Sequence, residues 1–239
     1  MKQLHNKNIT NFYKKLEDVW PRDDKWHMHT HDVIFGFVYE KVMGYHLSKN
    51  QLILNVGSGG STYDLPYEMY HLDITDTQIK QFQHWVVGSL EKLPFEDNMF
   101  DVCICVGTVI NYCNPKKAIK ELSRVLKPNG VFLCSTYGSK HMKEITELVQ
   151  KFDKRIVLAA ENLFDRFGLD NGQMILQDYF SNIEEHTYED SILIDQAEPL
   201  IEYILSCHGN QNQYLLERYH DFRLFVEKQV KKEYRITKD

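Results

Sequence analysis

Two hydrophobic rhythms divide the chain. Leu52-Ile-Leu-Asn-Val56 is a short apolar run that stops at Gly57, a buried-strand pattern followed by a turn. Tyr70-His-Leu-Asp-Ile74 and Trp85-Val-Val87 predict second and third strands. Asp101-Val-Cys-Ile-Cys-Val106 predicts a fourth, continuously apolar and therefore buried on both faces. Ala118, Ile119, Leu122, Val125 and Leu126 then recur at helical spacing, and Pro128-Asn-Gly130 turns the chain into a strand at 131–134. Strands alternating with helices in steps of roughly 25 residues mean βαβ units and a parallel sheet. The expected fold is α/β, a doubly wound and mostly parallel sheet over residues 50–137.

The flanks are less regular. Residues 8–20 predict an amphipathic helix with Ile9, Phe12, Tyr13, Leu16 and Trp20 near one face, ended by Pro21. A charged loop from Arg22 to Lys25 leads to a second helix over 33–47. Beyond the sheet, helices are expected over 141–164, 171–180, 199–207 and 211–232. Strands are expected over 183–188, 192–194 and from Tyr234. The whole, 1–239, reads as one domain: a helical N-terminal segment 1–48, a core 50–137, and a region 138–239 that shapes a pocket and completes the sheet.

Composition changes this picture little. A chain of 239 residues with 43% hydrophobic and 26% charged residues can bury one full-sized core, and its length alone allows one domain or two small ones. The net charge of -6, with no long Lys/Arg stripe, argues against a nucleic-acid partner, whose phosphates call for a basic footprint. Five cysteines, an odd number, do not suggest a disulfide framework. No apolar run has the length of a membrane span, and the N-terminus has no signal-peptide core. A cytoplasmic setting and a monomer or homodimer are expected.

The chemistry concentrates after the first strand. Asn55-Val-Gly-Ser-Gly-Gly60 would let the backbone bend tightly and approach a ligand, and open α/β sheets bind ligands beyond the carboxyl ends of their strands. Asp73 ends the second strand, at a spacing suited to accepting hydrogen bonds from ribose hydroxyls. Each has a plain alternative, a ligand-free turn and a helix-capping carboxylate. Together they point to a nucleoside-containing cofactor.

Four segments resemble, in order, the motifs of class I S-adenosylmethionine-dependent methyltransferases. They are Leu52–Gly60, His71-Leu-Asp-Ile74, Val87-Gly-Ser-Leu-Glu-Lys-Leu-Pro-Phe-Glu-Asp-Asn-Met-Phe-Asp101 and Ala118-Ile-Lys-Glu-Leu-Ser-Arg-Val-Leu-Lys-Pro-Asn-Gly130. The match resembles most the small-molecule group that includes the ubiquinone-biosynthesis type. The resemblance implies a Rossmann-like methyltransferase fold, S-adenosylmethionine as cofactor, and transfer of its methyl to an O, N or C atom of a small molecule. By the same resemblance, Gly57, Ser58 and Gly59 line the methionine part, Asp73 holds the ribose and Ile74 packs on the adenine. Ser89 and Leu90 flank the adenine edge, and Val106 and Gly107 lie beside the methionine. N-terminal helices in the family often cover the cofactor, which makes Tyr13, Trp20 and Trp26 lid candidates. Tyr112, soon after the fourth strand, is a candidate substrate contact.

Asn55 and Ser89 stand where the family usually carries acids, so an amide and a hydroxyl replace charge. The segment His27-Met-His-Thr-His31 is open to three readings: a metal site, a general base with His31 as first choice, or plain structural histidines. No metal is expected, because no Cys or carboxylate set completes ligand spacing. The alternatives to a small-molecule enzyme are a tRNA or protein methyltransferase and a cofactor-binding protein without transferase activity. A dinucleotide is disfavoured because Thr62 stands where the third glycine of that fingerprint would fall.

Overall fold

The computed structural model describes residues 25–107, 109–159, 163–207, 209–231 and 234–238, with side chains throughout except at 25–32, 190, 237 and 238. The predicted helix over 8–20, with Tyr13 and Trp20, lies outside the described residues, as do the side chains of Trp26 and His31.

The chain divides into two compact units, Met1–Thr136 with Asn171–Ile183, and Tyr137–Asp170 with Glu184–Asp239. The first holds a five-stranded sheet in the order β3-β2-β1-β4-β5. Its strands are β1 (Leu52–Val56), β2 (Glu68–Asp73), β3 (His84–Val87), β4 (Phe100–Cys105) and β5 (Leu126–Cys134). Every pairing is parallel, with Asn55 opposite His71 on one side and Ile104 on the other. Chain order reverses between β1 and β4, which is the topological switch point where doubly wound sheets bind ligands.

Burial explains why these segments are strands. All six residues of β4 are buried, as expected for an interior parallel strand. Helix α1 (Lys25–Gly44) covers one sheet face: Val38 and Val42 join Ile53, Tyr63, Val102 and Ile104 in one cluster, edged by Phe35, Leu65 and Met69. Phe35 stacks on Tyr63 with centroids 4.6 Å apart. Helix α2 (Pro115–Val125) starts where Asn114 Oδ1 accepts the Lys117 amide and Pro115 presets the first turn. It buries Ala118, Ile119, Leu122 and Val125, the positions its helical spacing predicted.

Two expectations change here. The alternation called for a helix in each crossover, yet β1–β2 has none and β2–β3 has only a 3-10 turn, Ile79–Gln81. Tyr63, Leu65 and Tyr67 from the first crossover pack directly on the core cluster instead. The turn at Pro128–Gly130 sits inside β5 rather than before it. β4 advances from Phe100 to Val102 while β5 advances from Leu126 to Val131, so the intervening residues bulge outward. Asn129 takes a left-handed φ of 65° in that bulge. Asp101 braces the same end of the sheet, accepting from Lys127 Nζ at 2.7 Å and from the Leu52 amide at 2.9 Å. The short helix α4 (Gly172–Leu176) also belongs to this unit.

The second unit contains helices α3 (Lys143–Phe152), α5 (Ala197–Ser206), α6 (Gln211–Leu215) and α7 (Tyr219–Val230). An antiparallel ribbon joins β6 (Asp190–Ile194) to β7 (Tyr234–Lys238). Ile145, Leu148, Ile201, Ile204, Phe222, Val226 and Ile236 form its buried interior. The helix expected over 141–164 ends at Phe152, because Asp153 turns extended and its carboxylate takes the Arg155 amide and guanidinium. The helix expected over 211–232 breaks between Leu215 and Tyr219. No strand forms over 183–188, where residues 184–188 are all exposed.

Candidate active site

The site is built where β1, β2 and β4 end. Gly57 takes φ 63° and Gly59 φ 49°, left-handed values that glycine adopts without strain. The bend is pinned to β2, since the amides of Gly57 and Ser58 both donate to the Leu72 carbonyl, at 2.7 and 3.2 Å. Gly57 also has no room for a side chain: a Cβ there would lie 2.4 Å from Cγ2 of Val109. Asn55 is buried, and its Nδ2 donates to the Ser61 carbonyl at 3.1 Å, bracing the loop from below. An acid at that position has no proton to give to a carbonyl, so the amide suits this loop.

Asp73 meets the glycine bend directly. Its Oδ2 accepts the Gly59 amide at 2.9 Å and its Oδ1 the Thr75 amide at 3.3 Å. A carboxylate has about four acceptor positions, so these two bonds leave capacity for a diol. Ile74 follows, half-buried. Beneath Asp73 on the same strand face lies His71, 3% exposed and stacked on Phe82 at 3.7 Å. Burial lowers its pKa to about 4, so its ring is neutral at ordinary pH.

The other flank starts at the end of β3. The Ser89 carbonyl accepts the Lys92 amide at 3.0 Å, and Ser89 Oγ accepts the Glu91 amide at 3.2 Å. Leu90 buries its side chain in the core, so only its backbone can meet a ligand. Helix α2 then clamps the segment that follows. Leu93 donates its amide to Glu121 Oε2 at 2.8 Å. Arg124 bonds the carbonyls of Leu93 and Phe95 and both oxygens of Glu121. These bonds hold the Glu121 carboxyl below its usual range.

After β4, Val106 is half-buried and Gly107 takes φ 83° with its amide on Ser135 Oγ at 3.1 Å. A 3-10 turn, Val109–Tyr112, follows; its Val109 covers Gly57 and Tyr112 ends it half-buried. Burial pushes the thiols of Cys105 and Cys134 upward, so they are protonated packing groups. The described residues contain no group of three or more His, Cys, Asp or Glu able to hold a metal ion.

Asn55, Gly57, Ser58, Gly59 and Asp73 are thus joined by hydrogen bonds and strand register. Gly107 lies at the end of β4, next to β1. The side chain of His31 lies outside the described set, so the general-base expectation stays an expectation. Sequence reasoning missed the bracing residues Ser61, Glu91, Ser135 and His71. It also missed the Glu121–Arg124 clamp, although their three-residue separation on a helix was a usable sign.

Residues 54–134 match a protein family described as a methyltransferase domain. The chain is 36% identical over 73 residues to the mitochondrial 2-methoxy-6-polyprenyl-1,4-benzoquinol methylase of Mus musculus, covering 30% of this chain and 22% of that protein. It is 31% identical over 132 residues to an uncharacterized protein of Methanocaldococcus jannaschii, covering 52% of this chain and 58% of that one. The chain therefore spans between a fifth and three fifths of the length of these relatives. Among solved structures, the YcgJ protein of Bacillus subtilis superposes with a TM-score of 0.57 at 16% identity, covering 87% of this chain and 95% of that one. A putative methyltransferase of Bacillus halodurans gives 0.51 at 19% identity, covering 70% and 77%. At these identities the superpositions speak for the fold. The five-stranded parallel sheet shares its fold with these structures, one of them a putative methyltransferase, and residues 54–134 are similar to a methyltransferase-domain family.

Proposed function

We propose that this domain is an S-adenosylmethionine-dependent methyltransferase acting on a small molecule. The observation that carries the reading is the bond between the glycine bend and Asp73, at the carboxyl edge of β1 and β2 beside the switch point. It brings a close-approach backbone and an acceptor for a diol to one place, which suits the two ends of an adenosyl amino acid. The residues fit such a group: Ser58 is 5% exposed, and its Oγ is a buried polar atom with no hydrogen-bond partner.

In this reading Gly57, Ser58 and Gly59 line the methionine part, Asp73 holds the ribose hydroxyls and Ile74 packs on the adenine. The backbone at Leu90 and the hydroxyl of Ser89 meet the adenine edge, and Val106 with Gly107 flanks the methionine. When bound, the cofactor supplies an electrophilic methyl on a sulfonium. The protein's part is to orient the acceptor in line and exclude water, so no catalytic triad is needed. Tyr112 belongs to the acceptor side, with Tyr13 in the cover and His31 as base where the acceptor carries a proton.

Two features support a small acceptor and a soluble setting. The net charge of -6 disfavours a polyanion. No helix among the described residues is long and apolar enough to cross a membrane. A cytoplasmic location and a monomer or homodimer complete the proposal.

Calorimetry with S-adenosylmethionine, S-adenosylhomocysteine and NAD tests the reading, followed by methyl-release assays on small acceptors, tRNA and protein. Binding of the two adenosyl compounds and turnover on a small acceptor is the expected result. Uptake of NAD in preference to either would overturn it, and binding without turnover on any acceptor would leave a binding protein.

A further inference from the structure

Glu91 links two walls of the candidate site that are far apart in sequence. The first wall is the turn Ser89–Lys92, closed by the bonds from Lys92 and Glu91 back to Ser89. The second is the 3-10 turn Val109–Tyr112 with Asn114, the residue that caps α2. Glu91 Oε1 accepts the backbone amide of Asn114 at 2.8 Å, directly between them. The second wall in turn roofs the glycine bend, because Val109 fills the space above Gly57.

The bond to Asn114 is charge-assisted and fixed in direction. The ion pair of Glu91 with Lys117, at 3.6 Å and with the lysine exposed, adds little. The Glu121–Arg124 clamp holds the stretch from Leu93 to Asp97 against α2, at the far end from the glycine bend. Glu91 is placed at the near end, where spacing between the walls matters to a ligand.

We propose that Glu91 is a positioning residue: through Asn114 it sets the spacing between the Ser89–Lys92 and Val109–Asn114 walls, so that both meet a ligand as one body. The inference rests on the cofactor reading above only for what the walls hold. Glutamine still offers an oxygen to the Asn114 amide, whereas aspartate keeps the charge and loses the reach. Geometry and charge are thereby separable.

The test compares wild type with Glu91→Gln, Glu91→Asp and Glu91→Ala. Hydrogen exchange is followed in the ligand-free protein, and S-adenosylmethionine affinity by calorimetry. Alanine and aspartate are expected to speed exchange in both walls and weaken binding roughly tenfold, the loss of one charge-assisted hydrogen bond. Glutamine is expected to stay within about twofold of wild type on both measures. The aspartate variant keeps the test open should alanine fail to fold. Faster exchange in one wall only, or glutamine falling as far as alanine, overturns the proposal. So does wild-type affinity in the alanine variant. A wild-type protein that takes up no S-adenosylmethionine sinks the cofactor reading instead, and the exchange data then decide by themselves whether Glu91 ties the walls.

Discussion

The Gly59 amide donates to Oδ2 of Asp73 across 2.9 Å, joining a loop after β1 to the tip of β2. The carboxylate therefore shapes the glycine bend before any ligand arrives. Preorganised in this way, the bend has less conformational freedom to lose on binding.

Asp73→Asn keeps an oxygen for the Gly59 amide but replaces one acceptor with a donor. Folding should hold while S-adenosylmethionine affinity falls roughly 10–100-fold, as for a lost charge-assisted contact. Calorimetry of the variant beside wild type checks this, and equal affinities would remove Asp73 from the binding site.

Gly57→Ala should cost about 2–4 kcal/mol, from a left-handed φ together with a contact that must shift. Adding Val109→Ala should recover part of that cost, because it clears the methyl groups nearest the new Cβ. Denaturant melts of the two single variants and the double variant read the coupling, and strict additivity would contradict the stated contact.

Arg124→Lys should lower stability by about 1–3 kcal/mol even though the charge remains. A lysine cannot reach two carbonyls and a carboxylate at once, as the Arg124 guanidinium does. A melting temperature unchanged from wild type would show that the clamp contributes nothing.

His71 makes stability pH-dependent. Its folded pKa, about 4, lies below the ordinary value of 6.5, so the unfolded chain binds the proton first. Stability should decline as pH falls from about 6.5 toward 4, by at most about 3 kcal/mol. His71→Phe should flatten the curve in that window. An unchanged slope would assign the effect to carboxylates elsewhere.

Much of the sheet was legible in the sequence for a simple reason. An interior parallel strand must be apolar on both faces, and β1 and β4 advertise this within one residue of their bounds. The helix α2 was equally plain in its buried stripe, while its capped start at Asn114 and Pro115 came from the structure. The run from Ile183 to Tyr188 misled, because its apolar ends bracket exposed charged residues with no strand to pair with. The long helix expected from His141 failed at Asp153, whose competition for the backbone is local but depends on Arg155 and Arg218 converging on it. In the candidate site, the glycines and Asp73 were legible by type and spacing. Glu91 was not, since its partner is a backbone amide 23 residues away.

By itself the sequence determined the parallel core, the order of its strands along the chain, and the residue types at the carboxyl edge. These follow from local propensity and period, which neighbouring residues carry. Only the tertiary structure decided which strands lie side by side, and that the first two crossovers dispense with α-helices. It also decided that Val109 closes over Gly57 and that Asn55 turns its amide toward Ser61. Those outcomes depend on contacts between distant segments, whose energies no local window contains.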